Sequence, residues 1–189
     1  MAPGPLFGSP VSVGESLGSV ATQLSEWFDP LPTAGTAVRL GAVEVGLPEV
    51  TLSYQRDRRL FSRTLQLVVE ASAPGAGPPG DATLSLRSRR LRRRAELEWS
   101  DGPPEDEAGT IGRFVRAGVV AGARTMTNVR DLQLSWSASE RTWRIRLVTL
   151  AGALIGTSPG AAITVPLEPE DVSGLLALLR GFVAAASGS

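Results

Sequence analysis

Residues Leu132 to Leu150 read "LQLSWSASERTWRIRLVTL". Leu132, Leu134 and Trp136 alternate with Gln and Ser, which is the period of a strand with one wet face and one dry face. A polar turn follows, and then a second strand. The same unit occurs twice more. "VTLSYQRDRRLFSRTLQLV" (Val50 to Val68) aligns with it without gaps, and "TLSLRSRRLRRRAELEW" (Thr83 to Trp99) aligns once its turn is shortened by two. Three hairpins of this kind imply a largely antiparallel sheet.

The third unit carries the most conspicuous run in the chain, "RSRRLRRR" from Arg87 to Arg94. It reads as a hairpin turn that flows into a strand. Arg92, Arg94, Glu96 and Glu98 then share the outward face, with Leu91, Ala95, Leu97 and Trp99 facing in. Arg93 alone is out of phase. Arginine lays its methylenes along an apolar edge and still reaches water, and inward charges at a sheet edge block edge-to-edge pairing.

Upstream, "AVRLGAVEVGLPEV" places Val38 and Leu40 on one phase and Val43 and Val45 on the other. A bulge or bend at Gly41 would join the two halves. Strands are expected over about 37–70 and again in hairpins over 130–166, where "GTSPG" makes a turn. Two Pro/Gly segments separate the hairpins: 71–81, read as a linker that no strand traverses, and an acidic linker over 100–109. They suggest excursions, or a bracket that lets the Arg-rich hairpin 82–99 project as an arm.

Helices are signalled at three places. Over 12–28, Ser12 and Glu15 have capping-box spacing, and Leu17, Val20, Leu24, Trp27 and Phe28 form one stripe. Over 110–124, Ile111, Phe114, Val115 and Val119 supply the apolar side. Gly118 and Gly122 there form a G-x-x-x-G, the spacing that lets backbones approach. Over 169–185, Pro169 opens a helix with Glu168, Glu170 and Asp171 at its positive end and Val172, Leu175, Leu176, Leu179 and Phe182 as its buried stripe. The expectation is one α+β domain over residues 1–189, a mostly antiparallel sheet with an N-terminal, a middle and a C-terminal helix packed on it.

Composition narrows the chemistry. Nineteen basic residues, all arginine, balance nineteen acidic ones, and the chain has no histidine, lysine or cysteine. Zinc and haem sites, Fe–S clusters, Ser-His or Cys nucleophiles, Schiff bases and P-loop lysines lose their usual groups. The acidic residues sit at turns and helix starts, where they solvate and cap. No enzyme, metal or cofactor is therefore expected. No stretch reaches the length of a membrane span, and the expected compartment is the cytoplasm.

Three binding readings remain. The first is a non-catalytic protein-interaction or assembly module, its partner another protein or a second copy. Its candidate residues are Arg87, Arg89, Arg90, Arg92 and Arg94 on the basic hairpin, Glu105, Asp106 and Glu107 on the acidic linker, and Gly118 and Gly122 on the notched helix. The second is a carrier that holds an apolar small molecule between sheet and helix. The third, nucleic-acid binding through the arginines, is disfavoured by the neutral total and the interleaved glutamates.

Overall fold

The computed structural model describes residues 12–32, 36–56, 64–89, 94–102, 109–126, 128–158 and 161–188, apart from the side chains of 87–89, 94–95, 157–158 and 161–162. Over the described residues the architecture is α+β: a mostly antiparallel sheet of nine strands with four helices packed on it.

Helix α1 spans Val13–Gln23 and begins on the expected capping box: Glu15 N–H donates to Ser12 Oγ at 3.1 Å, and Ser12 N–H to Glu15 Oε2 at 2.8 Å. These bonds to Ser12 hold the Glu15 carboxyl below its ordinary range. The helix stops earlier than its apolar stripe suggests. Trp27 and Phe28 leave it through a turn closed by bonds to the Leu24 carbonyl, and Phe28 opens strand β1 (Phe28–Leu31). Phe28 is nevertheless buried with Leu17, Val20 and Leu24, because helix turn and strand share one side of the core.

Strands β2 (Val38–Ala42), β3 (Val50–Arg56) and β4 (Thr64–Pro74) continue the meander from β1. The strand expected through Val43 and Val45 is instead the β2–β3 turn. Leu47 and Val50 already fill the core there, so the two valines have no inward place. β5 (Ala82–Arg89) and β6 (Arg94–Asp101) form the Arg-rich hairpin, and β7 (Val129–Ser137), β8 (Thr142–Ser158) and β9 (Ala161–Thr164) complete the sheet. The strand order is β1-β2-β3-β4-β8-β7-β5-β6, with β9 paired to β8.

The order corrects two expectations about the Pro/Gly segment. Residues Ala71–Pro74 are the end of β4, paired through Pro74 opposite Thr142 of β8. Pro74 is tolerated because Gly75 beside it donates to the Arg141 carbonyl, so the Pro74 nitrogen points to the side where the β3 ladder has already ended at Ala71. Nor does hairpin β5–β6 project as an arm, since β5 pairs with β7 and places β6 at the sheet edge. The chain must cross β8 and β7 to get there, three strand spacings or roughly 14 Å.

The crossing segment is a strap over the end of the β7–β8 hairpin. Gly75 N–H bonds the Arg141 carbonyl at 3.1 Å, Ala76 N–H bonds the last turn of the C-terminal helix at Ala186 O (3.2 Å), and Ala138 N–H bonds Asp81 Oδ1 at 2.8 Å. From beneath, Trp143 Nε1–H donates to Ala76 O and Trp136 Nε1–H to Pro78 O, both at 2.9 Å. Glycine is required by space as much as by flexibility. A Cβ on Gly75 would stand 2.0 Å from Ala186 O, and one on Gly77 would stand 2.4 Å from the Trp136 ring.

The helix expected over 110–124 is two. α2 (Thr110–Arg116) and α3 (Val119–Thr125) are separated at Gly118, whose φ of +89° an L side chain rarely adopts. The break rotates the apolar stripe, so Phe114 and Val119 are buried while Val115 is 47% exposed. α4 (Pro169–Ser187) then lies against α3. On the sheet, Phe114 of α2, Phe182 of α4 and Trp143 and Trp136 of the strands form one ring cluster. Phe114 meets Trp143 edge-on at 4.9 Å and stacks with Phe182 at 6.5 Å, and Trp136 lies 5.4 Å from Trp143. Such pairs add about 0.5–1.5 kcal/mol each beyond area burial.

Candidate interaction surfaces

The period-two pattern sorts the strand residues onto two faces. Leu52, Val69, Leu134, Ile145, Leu147 and Leu84 are paired across adjacent strands on the helix side and are buried with the helix residues. The other face, which no helix of the described residues covers, carries Thr51, Ser53 and Gln55 of β3, Gln66 and Glu70 of β4, Arg144 and Arg146 of β8, and Gln133 and Ser135 of β7. A cleft of about 450 Å³ opens here, lined among others by Glu49, Thr51, Glu70, Ser72, Gln133, Ser135, Arg144 and Arg146.

Its charges are compensated internally. Arg146 lies 3.5 Å from Glu70 and 3.8 Å from Asp131 and bonds Gln55, which in turn donates to Gln66 at 3.0 Å. Arg144 pairs with Glu140, and Arg39 with Glu49 beside the cleft. These pairs are partly exposed, so each contributes about 0–1 kcal/mol. Their effect is on specificity: a surface already neutralised has little to gain from phosphate and much hydrogen-bonding capacity for a neutral polar chain. Val68 and Val148 face the same side and are buried. Arg146 stands beside them, two residues from Val148 along one strand face.

A second polar cluster lies inside. Tyr54 OH donates to the Gly152 carbonyl at 2.7 Å, Ser16 Oγ is 2.7 Å from Tyr54 OH, and Thr164 Oγ1 is 2.9 Å from Ser16 Oγ. Each hydroxyl has one proton, so the direction follows from the carbonyl end: Thr164 donates to Ser16, Ser16 to Tyr54, and Tyr54 to Gly152. Burial raises the Tyr54 pKa, opposed by the bond from Ser16. Gly152, at φ +78°, kinks β8 toward α1, and a Cβ there would stand 2.7 Å from Leu67. The chain ends on a carbonyl rather than a base, so it locks α1, β3, β8 and β9 together.

The sequence-derived candidates are dispersed by comparison. Arg87 and Arg89 lie on β5 and Arg94 on β6, with Arg87 opposite Glu96 and Arg89 opposite Arg94. β6 is the edge strand that the charge pattern suggests. Arg90, Arg92, Glu105, Asp106 and Glu107 lie outside the described residues. Gly118 is the helix break. Gly122 packs within the chain, where a Cβ would stand 2.6 Å from the Leu178 amide nitrogen on α4 and 2.7 Å from Gly174 O.

The sheet-face cleft escaped the sequence reading because its residues come from β3, β4, β7 and β8 and meet only once the strand order is known. The available signal was the alternation itself: Gln133, Ser135, Arg144 and Arg146 are the polar positions of the hairpin quoted first. No curated protein and no solved structure matches this chain. Residues 22–186 match the model of the family described as "Protein of unknown function (DUF3156)", and the chain belongs to that family.

Proposed function

We propose that the protein is a non-catalytic interaction module whose partner-facing surface is the helix-free face of the sheet, and that the partner is a polypeptide. The observation that carries this is the cleft itself: about 450 Å³, lined by hydroxyl, amide and mutually paired charged side chains. A peptide backbone presents donors and acceptors without net charge, which suits such a lining. The acyl or ring surface of an apolar ligand does not. The carrier reading needs space between sheet and helices; the packed rings of Phe114, Trp136, Trp143 and Phe182 occupy its centre, and the recess of about 400 Å³ between β6 and helices α2 and α3 has Glu96 and Arg124 in its lining. A nucleic acid would have to displace Glu70 and Asp131 from Arg146. The hydroxyl chain at Tyr54 has no base, which supports the non-catalytic reading. The cytoplasm remains the expected compartment.

The test compares the wild-type chain with a Ser135→Trp variant, which fills the cleft from a partly exposed position. A polypeptide retained by the wild type in its own host's extract and lost from Ser135→Trp supports the reading. Retention of the same polypeptide by Ser135→Trp overturns it.

A further inference from the structure

The β2–β3 turn presents an apolar projection with a matching recess beside it. Val45 is 98% exposed and Val43 59% exposed, two of the large apolar side chains that the fold leaves in water. Beside the turn, between the end of α1 and α4, runs a groove of about 400 Å³ lined by Trp27, Leu167, Pro169, Val172 and Leu176, with Gln23 and Ser173 at its rim. Its lining is mostly apolar.

Two contacts hold turn and groove in a fixed relation. Val43 N–H donates to the Trp27 carbonyl at 3.0 Å, and Glu44, between the two valines, pairs with Arg180 of α4 at 2.6 Å. Arg180 lies one helical turn beyond Leu176, which lines the groove. The turn therefore sits at one end of the groove, and its own valines do not enter it.

We propose that two copies of this chain associate about a two-fold axis, the Val43–Val45 turn of each seated in the Trp27–Val172–Leu176 groove of the other. Projection and groove are neighbours on one chain, so a single axis engages both at once. Such a contact closes on a dimer, whereas a projection and groove on opposite sides would propagate a fibre. Charge agrees with the geometry. Seating the turn brings Glu44 of one copy to the groove end where the mate carries Arg180, so the ion pairs gain a second partner rather than lose one. The contact consists of two short turns in two grooves, smaller than a permanent dimer interface, and its population depends on concentration. The proposal is independent of the sheet-face cleft, which the dimer leaves open.

Sedimentation velocity of the full chain over a concentration series tests it. The wild type is expected to move from monomer to dimer, and Val45→Asp, altered at a position almost fully in water, to stay monomeric. A wild type that remains monomeric throughout overturns the proposal, as does a dimer that Val45→Asp leaves intact. The chain has no cysteine, so a second measurement is clean: Val45→Cys and Ser173→Cys chains are made separately, mixed and oxidised. A disulfide between the two variants, formed in preference to either homodimer, places the turn in the mate's groove. Its absence at concentrations where dimer is present overturns the arrangement.

Discussion

Trp143 donates its indole N–H to the carbonyl of Ala76 at 2.9 Å, from the middle of the sheet to the middle of a proline- and glycine-rich segment. Trp136 does the same to Pro78, and the Arg113 guanidinium reaches Ala76 O from α2 at 3.2 Å. A stretch whose composition suggests a loose linker is thus tied to sheet, to α2 and to the end of α4. Gly75 and Gly77 allow backbone to lie where a side chain would collide.

Gly77→Ala therefore destabilises the protein by about 1–3 kcal/mol through overpacking against Trp136, although the site is a loop. Trp143→Phe keeps most of the ring packing and loses the bond to Ala76, a loss of about 1 kcal/mol. Urea midpoints at constant slope measure both. Gly77→Ala with an unchanged midpoint would show that the strap is not seated as described.

Glycine substitutions in the helices are expected to differ in sign. At Gly122 a Cβ would stand 2.6 Å from the Leu178 nitrogen of α4, and at Gly174 one would stand 2.8 Å from the Gly122 carbonyl oxygen of α3, so alanine at either loosens the helix pair. At Gly18, within α1, a Cβ meets nothing within 4 Å. Gly18→Ala is expected to stabilise by about 0.5–1 kcal/mol, because alanine loses less conformational entropy on helix formation. Thermal unfolding of the three variants checks the contrast.

Tyr54 gives the protein an alkaline limit. Burial holds its pKa above the ordinary 10.0 in the folded state, so between the unfolded and folded values the unfolded chain has released a proton that the native one retains. Stability is then full below about pH 10 and falls as pH rises through the folded pKa. With no lysine, cysteine or histidine and one tyrosine, no other side chain titrates between the carboxylates and the arginines. Phenolate absorbance should rise later in native than in unfolded protein. Tyr54→Phe should remove the alkaline fall while lowering stability at neutral pH by about 1–3 kcal/mol, since Ser16 and the Gly152 carbonyl both lose a partner.

Arg146→Ala separates surface chemistry from stability. Its ion pairs are partly exposed, so the unfolding free energy changes by less than about 1 kcal/mol. Binding of a polypeptide partner to the cleft weakens at least tenfold if Arg146 anchors it. Equal affinity of the variant, measured by calorimetry with that partner, would remove Arg146 from the site.

Local pattern carried the faces of the sheet, the capping box of α1 and the buried stripe of α4, because a strand's period and a helix's cap are properties of neighbouring residues. It did not carry strand order or register. In β7–β8, Trp136 faces Trp143. In β3–β4 the matching Tyr54 faces Leu67, six residues beyond Phe61, the position that aligns with Trp143. Similar alternation thus conceals hairpins of different register, and nothing in the alternation says that β8 separates β4 from β7. Val43 and Val45 follow the same logic: alternation continues in the sequence after the ladder ends at Ala42, so the pattern points to a strand where the chain makes an exposed turn.

Native mass spectrometry of the chain isolated gently from its own host distinguishes a polypeptide partner from every other occupant. The expected result is the 19.8 kDa chain or its dimer carrying a bound polypeptide that Ser135→Trp no longer retains. A stoichiometric small apolar mass released by organic solvent would contradict it and establish a carrier, and nucleic acid lost at high salt would contradict it in favour of the arginine-rich hairpin.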